Sequence, residues 1–134
     1  MARTSSLPSL ALLAALSGCA QPANQSPLVG PPRALDPAST DGDKYRVLLE
    51  NDQVRVLRYH DEPGARTHLH HHPSFVMIAL APFRRRLTFP DGTRREREFS
   101  AGEVAWMPAQ SHVGENIGST PTEVLLIEVM PPRE

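Results

Sequence analysis

The chain has 134 residues, 14 basic against 15 acidic side chains, and 40% hydrophobic residues. That length accommodates one ordinary domain, and a formal net charge of −1 supplies no field for nucleic acid or for an anionic membrane surface. The single cysteine excludes an internal disulfide and a thiolate zinc site, so a bound metal has to be held by carboxylates or by the six histidines.

Residues 1–18 open with Met-Ala-Arg, continue as a run of Leu and Ala from Leu7 to Leu16, and close on Ser17-Gly18. The apolar part is too short to span a bilayer and reads as a secretory signal. Leu16-Ser17-Gly18-Cys19 resembles the bacterial lipoprotein box, which implies cleavage before Cys19 and acylation of its thiol. The expectation is a protein held at the periplasmic side of the bacterial envelope by its lipid alone. Ala20, where aspartate would signal retention, points to the outer membrane. Residues 19–43 hold five of the 14 prolines (Pro22, Pro27, Pro31, Pro32, Pro37) and show no period of 2 or 3.6, which predicts a disordered, lipid-anchored linker. The folded domain is expected over 44–134.

Within that domain no window keeps a helical period, whereas short β-rich runs recur between turn residues. Strands are predicted at Tyr45–Leu49, Val54–Tyr59, Phe75–Leu80, Phe83–Phe89, Arg94–Phe99, Val104–Met107 and Val124–Met130, the spacing of an all-β sandwich or barrel. Asn51-Asp52, Glu62-Pro63-Gly64, Pro90-Asp91-Gly92, Ala101-Gly102-Glu103 and Gly118-Ser119-Thr120-Pro121 supply the turns. Charge pairing selects the register of one hairpin. A three-residue Pro90-Asp91-Gly92 loop sets Arg84 against Glu98, Arg86 against Glu96 and Phe83 against Phe99; a two-residue loop would set Arg86 against Arg97. Arg85 and Arg97 then share the face of Phe83, Leu87, Phe89 and Phe99, where both are expected to extend outward at the rim, the alternative being that this face looks inward and one of them reaches a bound anion.

Four histidines fall within Thr67-His68-Leu69-His70-His71-His72-Pro73. On a strand, His68, His70 and His72 point to one face and His71 to the other. Like-facing imidazoles in a β-core are costly unless their nitrogens are tied, and a divalent ion ties them. An exposed His-rich loop is the competing reading of these residues alone.

Further motifs extend the pattern. Gly64 precedes His70 and His72 with the spacing of the first cupin motif, GxxxxxHxH, and Gly102, Pro108, His112 and Asn116 are similar to the second. The likeness spans about Glu50 to Met130. It implies a small jelly-roll (cupin-type) β-barrel with His70, His72 and His112 as three metal-binding histidines near its centre. Val76 and Met77 stand where the family usually carries a glutamate ligand, and Gln110 stands in place of the glycine of PxG. His68 is therefore a candidate extra ligand. Ring nitrogens of a preformed site should lie within roughly 3–4 Å of one another.

Three neutral imidazoles leave a divalent ion its full charge and open positions for water or substrate. Fe, Mn, Zn, Ni and Cu all accept imidazole, and the sequence does not select among them. Some three-histidine cupins are iron dioxygenases, so the resemblance implies oxygenase- or isomerase-like chemistry on a small molecule, in a pocket lined by Phe75, Val76, Met77, Trp106 and Met107. The alternative is a non-catalytic cupin that binds a small ligand or a metal, since no general acid or base stands out. Jelly-roll edges also lead us to expect a homodimer.

Overall fold

The computed structural model describes residues 33–132; the expected signal segment, Cys19 and most of the expected linker lie outside the described residues. The described residues form nine strands: β1 (Tyr45–Glu50), β2 (Val54–Asp61), β3 (His70–His72), β4 (Phe75–Ala79), β5 (Phe83–Thr88), β6 (Arg94–Phe99), β7 (Val104–Met107), β8 (Gln110–Asn116) and β9 (Thr122–Val129). All pairings are antiparallel. They form a five-stranded sheet in the order β1-β2-β9-β4-β7 and a four-stranded sheet in the order β3-β8-β5-β6. Strands distant in sequence thus lie side by side, the crossing pattern of a jelly roll.

The hairpin of β5 and β6 has the expected register, with Phe83 opposite Phe99, Arg84 opposite Glu98 and Arg86 opposite Glu96. Gly92 adopts φ 84°, closing the loop in the left-handed region that glycine enters without cost. Arg86 pairs with Glu96 at 2.7 Å, while Arg84 also reaches Glu96, at 2.9 Å, instead of Glu98.

Strand β8 is the element not expected from hydrophobicity. Its inward residues are His112, Gly114 and Asn116, so the face that would normally announce a buried strand is polar. That polarity decides where the site lies. The five-stranded sheet turns Tyr45, Leu57, Tyr59, Phe75, Met77, Ala79, Val124 and Leu126 inward, whereas the other sheet adds only Phe83 and Phe99 to the buried apolar core. Side chains of such unequal chemistry do not interdigitate throughout, and a cavity of about 390 Å³ remains between the sheets, within the range of small-molecule sites.

The end of the expected linker is part of the fold. A 3-10 turn at Arg33–Leu35 leads into α1 (Pro37–Thr40), started by an extended Asp36 and by Pro37 in the first turn, where its missing N–H is harmless. Pro37 is buried. Asp41, also buried, accepts the backbone N–H of His68 at 3.0 and 3.1 Å, stitching this segment to the chain ahead of β3.

Candidate metal centre

Strands β3 and β8 carry the cluster. Antiparallel pairing sets His70 directly opposite His112, and the two-residue period of β3 returns His72 to the same face. The three rings meet edge to face or tilted, with centroids 4.8 Å (His70–His72), 4.8 Å (His70–His112) and 5.5 Å (His72–His112) apart. One ring nitrogen from each lies within 4.8 Å of the others, a looser set than the expected 3–4 Å. All three side chains are buried. No carboxylate joins this cluster among the described residues.

Hydrogen bonds fix the protonation of two rings. His70 Nδ1 lies 2.8 Å from the carbonyl oxygen of His68, which can only accept, so Nδ1 carries the hydrogen and Nε2 keeps its lone pair. His72 Nδ1 donates in the same way to Glu128 Oε1 at 2.7 Å, again leaving Nε2 free. His112 Nδ1 is buried without a hydrogen-bond partner. Burial, reinforced by the neighbouring imidazoles, holds His72 and His112 well below the usual histidine range, and burial also lowers His70. The rings are therefore neutral at pH 7, the form that coordinates metal. Neutral donors, two outward lone pairs and a buried imidazole without a partner fit a divalent ion held by His70, His72 and His112.

Behind the cluster stands a chain of charges. Glu128 is fully buried on β9; its Oε2 accepts Arg55 Nε at 2.7 Å, and Arg55 Nη2 pairs with Asp36 at 2.6 Å. Carboxylate backing of this kind orients a ligand imidazole and strengthens it as a donor. The signal for Glu128 was present in the sequence: it is the one charged residue on the face of β9 that also presents Val124 and Leu126. On the far side of the site, Tyr45 Oη lies 3.1 Å from His70 Nε2.

Several expectations need correction. His68 precedes β3, its side chain is 79% exposed, and its Nδ1 pairs with Asp41 at 3.0 Å, so it does not face the cluster. His71 points away as expected and bonds Ser111 Oγ at 2.9 Å. Phe75, Met77 and Met107 line the cavity, but Val76 and Trp106 do not: they oppose each other on the outer face of the sheet, where Trp106 is 60% exposed. Consecutive residues of a strand cannot all face one cavity, and because both faces of β4 are apolar its sequence does not show which face turns inward. Arg97 does extend outward, to Glu103, but Arg85 turns inward. Its Nη1 donates to Asp61 at 3.0 Å and its Nη2 to Tyr59 Oη at 2.9 Å, while Tyr59 and Asn116 donate to the same Asp61. Gly114 makes room for it, since a Cβ there would stand 2.2 Å from Arg85 Nη2.

No protein-family model matches the sequence, and no curated protein does. Solved structures do match. A cupin domain from Bordetella pertussis Tohama I is 22% identical with a TM-score of 0.60, the match covering 65% of this chain and 92% of that one. A protein from Bacillus halodurans gives 19% identity and 0.53, over 67% and 72% of the two chains. An RmlC-like cupin family protein from Methanocaldococcus jannaschii gives 16% and 0.52, over 64% and 78%. Together with the strand order and the histidine-bearing pair β3 and β8, these likenesses give the chain the double-stranded β-helix fold of the cupins.

Proposed function

We propose that this protein is an envelope lipoprotein whose cupin barrel holds one divalent transition ion through His70, His72 and His112 and acts, in an oxygenase- or isomerase-like manner, on a small molecule that enters the cavity. The observation that carries this reading is a cluster of three buried, neutral imidazoles, two of which, His72 and His112, line a cavity with otherwise mainly apolar walls. A divalent ion in that position supplies Lewis acidity and open coordination positions. The apolar walls, with Phe75, Met77, Phe89, Phe99 and Met107 among them, suit a ligand with an apolar body and an oxygen that reaches the ion.

A second reading, binding without turnover, is favoured by one observation: no carboxylate lines the cavity among the described residues. On the enzyme reading, with no carboxylate in the lining, proton transfer falls to Tyr45, to an imidazole or to an ion-bound water. The test loads purified protein with Fe(II), Mn(II) or Zn(II), follows uptake by titration, and screens small oxygen-bearing aromatics for oxygen consumption or product. Uptake with turnover supports the enzyme; uptake with ligand binding alone supports the second reading; no uptake at all removes both. The anchor is tested separately. Cys19→Ser should release the protein to a soluble fraction or block its processing, and a processed variant that still partitions with membranes would refute the anchor.

A further inference from the structure

We propose that the Tyr45 hydroxyl is the hydrogen-bond donor for an anionic oxygen bound at the open side of the metal centre, an assignment that rests on the three-histidine reading above. In the structure this hydroxyl lies 3.1 Å from His70 Nε2. Because His70 Nδ1 spends its hydrogen on the His68 carbonyl, the Tyr45 O–H is the donor and the Nε2 lone pair the acceptor. An ion at His70 needs that same lone pair, about 2.0–2.1 Å out along the direction the hydroxyl now occupies. The two cannot share it.

When the ion takes the nitrogen, Tyr45 keeps its place but loses its acceptor. The residue is only 6% exposed, and its ring is wedged against Tyr59 at 4.5 Å, His70 at 5.4 Å and His72 at 5.8 Å, so it has little room to turn away from the cavity it lines. A buried donor stripped of its partner is costly, and a small shift of Oη leaves it beside the ion's remaining coordination positions. Whatever occupies those positions is its natural acceptor. A neutral phenol is a weak ligand and a good donor, and it donates best to a charged oxygen. The surroundings favour that charge: the guanidinium of Arg85 lies over the Tyr59 ring at 4.6 Å in the same cavity, with Asp61 sharing its charge, and none of the lining residues is a carboxylate among those described. The ligand class is thus a carboxylate or an enolate-type oxyanion. Tyr45 would replace, by donating to the ligand, some of the selectivity that a fourth protein ligand usually imposes.

The test uses Co(II) and acetate. The full chain and its Tyr45→Phe variant are titrated with Co(II), then with acetate, following the visible spectrum of the bound ion. Tyr45→Phe should take Co(II) at least as tightly as wild type, since no O–H competes for His70, yet bind acetate about 10- to 100-fold more weakly, the worth of one charge-assisted hydrogen bond. Equal acetate affinity overturns the proposal. So does a several-fold loss of Co(II) affinity in the variant, which would make Tyr45 a ligand or a support for His70. If the variant does not fold, the wild type still decides: with 13C-labelled tyrosine and Zn(II), the Tyr45 ring carbon bearing oxygen should shift on metal addition and again on acetate addition, and no second shift overturns the assignment. Wild type that takes up no metal removes the three-histidine reading and this proposal together; metal uptake without the Tyr45 effect removes the proposal alone.

Discussion

Replacing Glu128 by Gln exchanges one oxygen for nitrogen and leaves the volume almost unchanged, yet two donors converge on that carboxylate: His72 Nδ1 at 2.7 Å and Arg55 Nε at 2.7 Å. An amide has one acceptor oxygen to offer them. If the oxygen faces His72, the NH2 confronts Arg55, donor against donor, and the buried guanidinium keeps only Asp36 as its counter-charge. If the oxygen faces Arg55, the NH2 confronts His72, whose proton must then move to Nε2, the nitrogen a metal requires. Either arrangement breaks a buried charge pair, for which about 3–5 kcal/mol is typical; the amide retains one bond, so a loss of about 3 kcal/mol is expected. Metal affinity should fall about 10- to 100-fold, as it does when the group behind a ligand imidazole is removed. Urea unfolding of the metal-free protein reads the first effect and Zn(II) titration the second, while 15N-histidine NMR reports the tautomer of His72. Unchanged metal affinity with His72 still protonated at Nδ1 would refute the role assigned to Glu128.

Three further outcomes follow from the same geometry. His72→Ala and His112→Ala should each abolish tight Zn(II) binding, whereas His71→Ala and His68→Ala should leave it nearly unchanged, because His71 faces Ser111 and His68 faces Asp41; equal losses across the four in parallel titrations would dissolve the cluster. Burial lowers all three imidazoles in the folded state, so the unfolded chain binds more protons once the pH drops below about 6.5. The metal-free protein should therefore be stable above that pH and lose up to about 1.4 kcal/mol per pH unit for each histidine below it, and a melting temperature flat between pH 7.5 and 5.5 would contradict this. Gly114→Ala should push Arg85 off Asp61 and Tyr59 and cost roughly 3 kcal/mol in urea unfolding, since the new Cβ would stand 2.2 Å from Nη2.

The barrel, His70 and His72 were legible in the sequence because each left a short-range signature, whereas His112 was marked only by the likeness of Gly102, Pro108, His112 and Asn116 to the second cupin motif. Arg84, Arg86, Glu96 and Glu98 fixed a hairpin register by charge, and His70 and His72 declared a shared face by their spacing. What stayed hidden depended on phase and on partners distant in the chain. Val76 and Phe75 are both apolar, so period 2 alone could not say which looks inward. Strand β8 was masked because its buried face bears His112, Gly114 and Asn116 in place of the apolar residues that mark a strand. Arg85 was assigned to the rim by the ordinary cost of burying a guanidinium, an expectation defeated by Asp61 and Tyr59, which lie far from it in sequence.

The chain of charges from His72 through Glu128 and Arg55 to Asp36 bears on where this domain begins. A chain shortened to start at residue 44, just ahead of the first strand, would keep every strand and all three histidines. It would also lose Asp36 and Asp41, leaving Arg55 with Glu128 alone and removing the acceptor of the His68 backbone N–H just ahead of β3. Such a chain should still form a barrel, but one whose histidines are less firmly set. The shortest unit that keeps the site as described starts ahead of Asp36, so on the lipoprotein reading the stretch that tethers the protein to its membrane is also the stretch that braces its histidines.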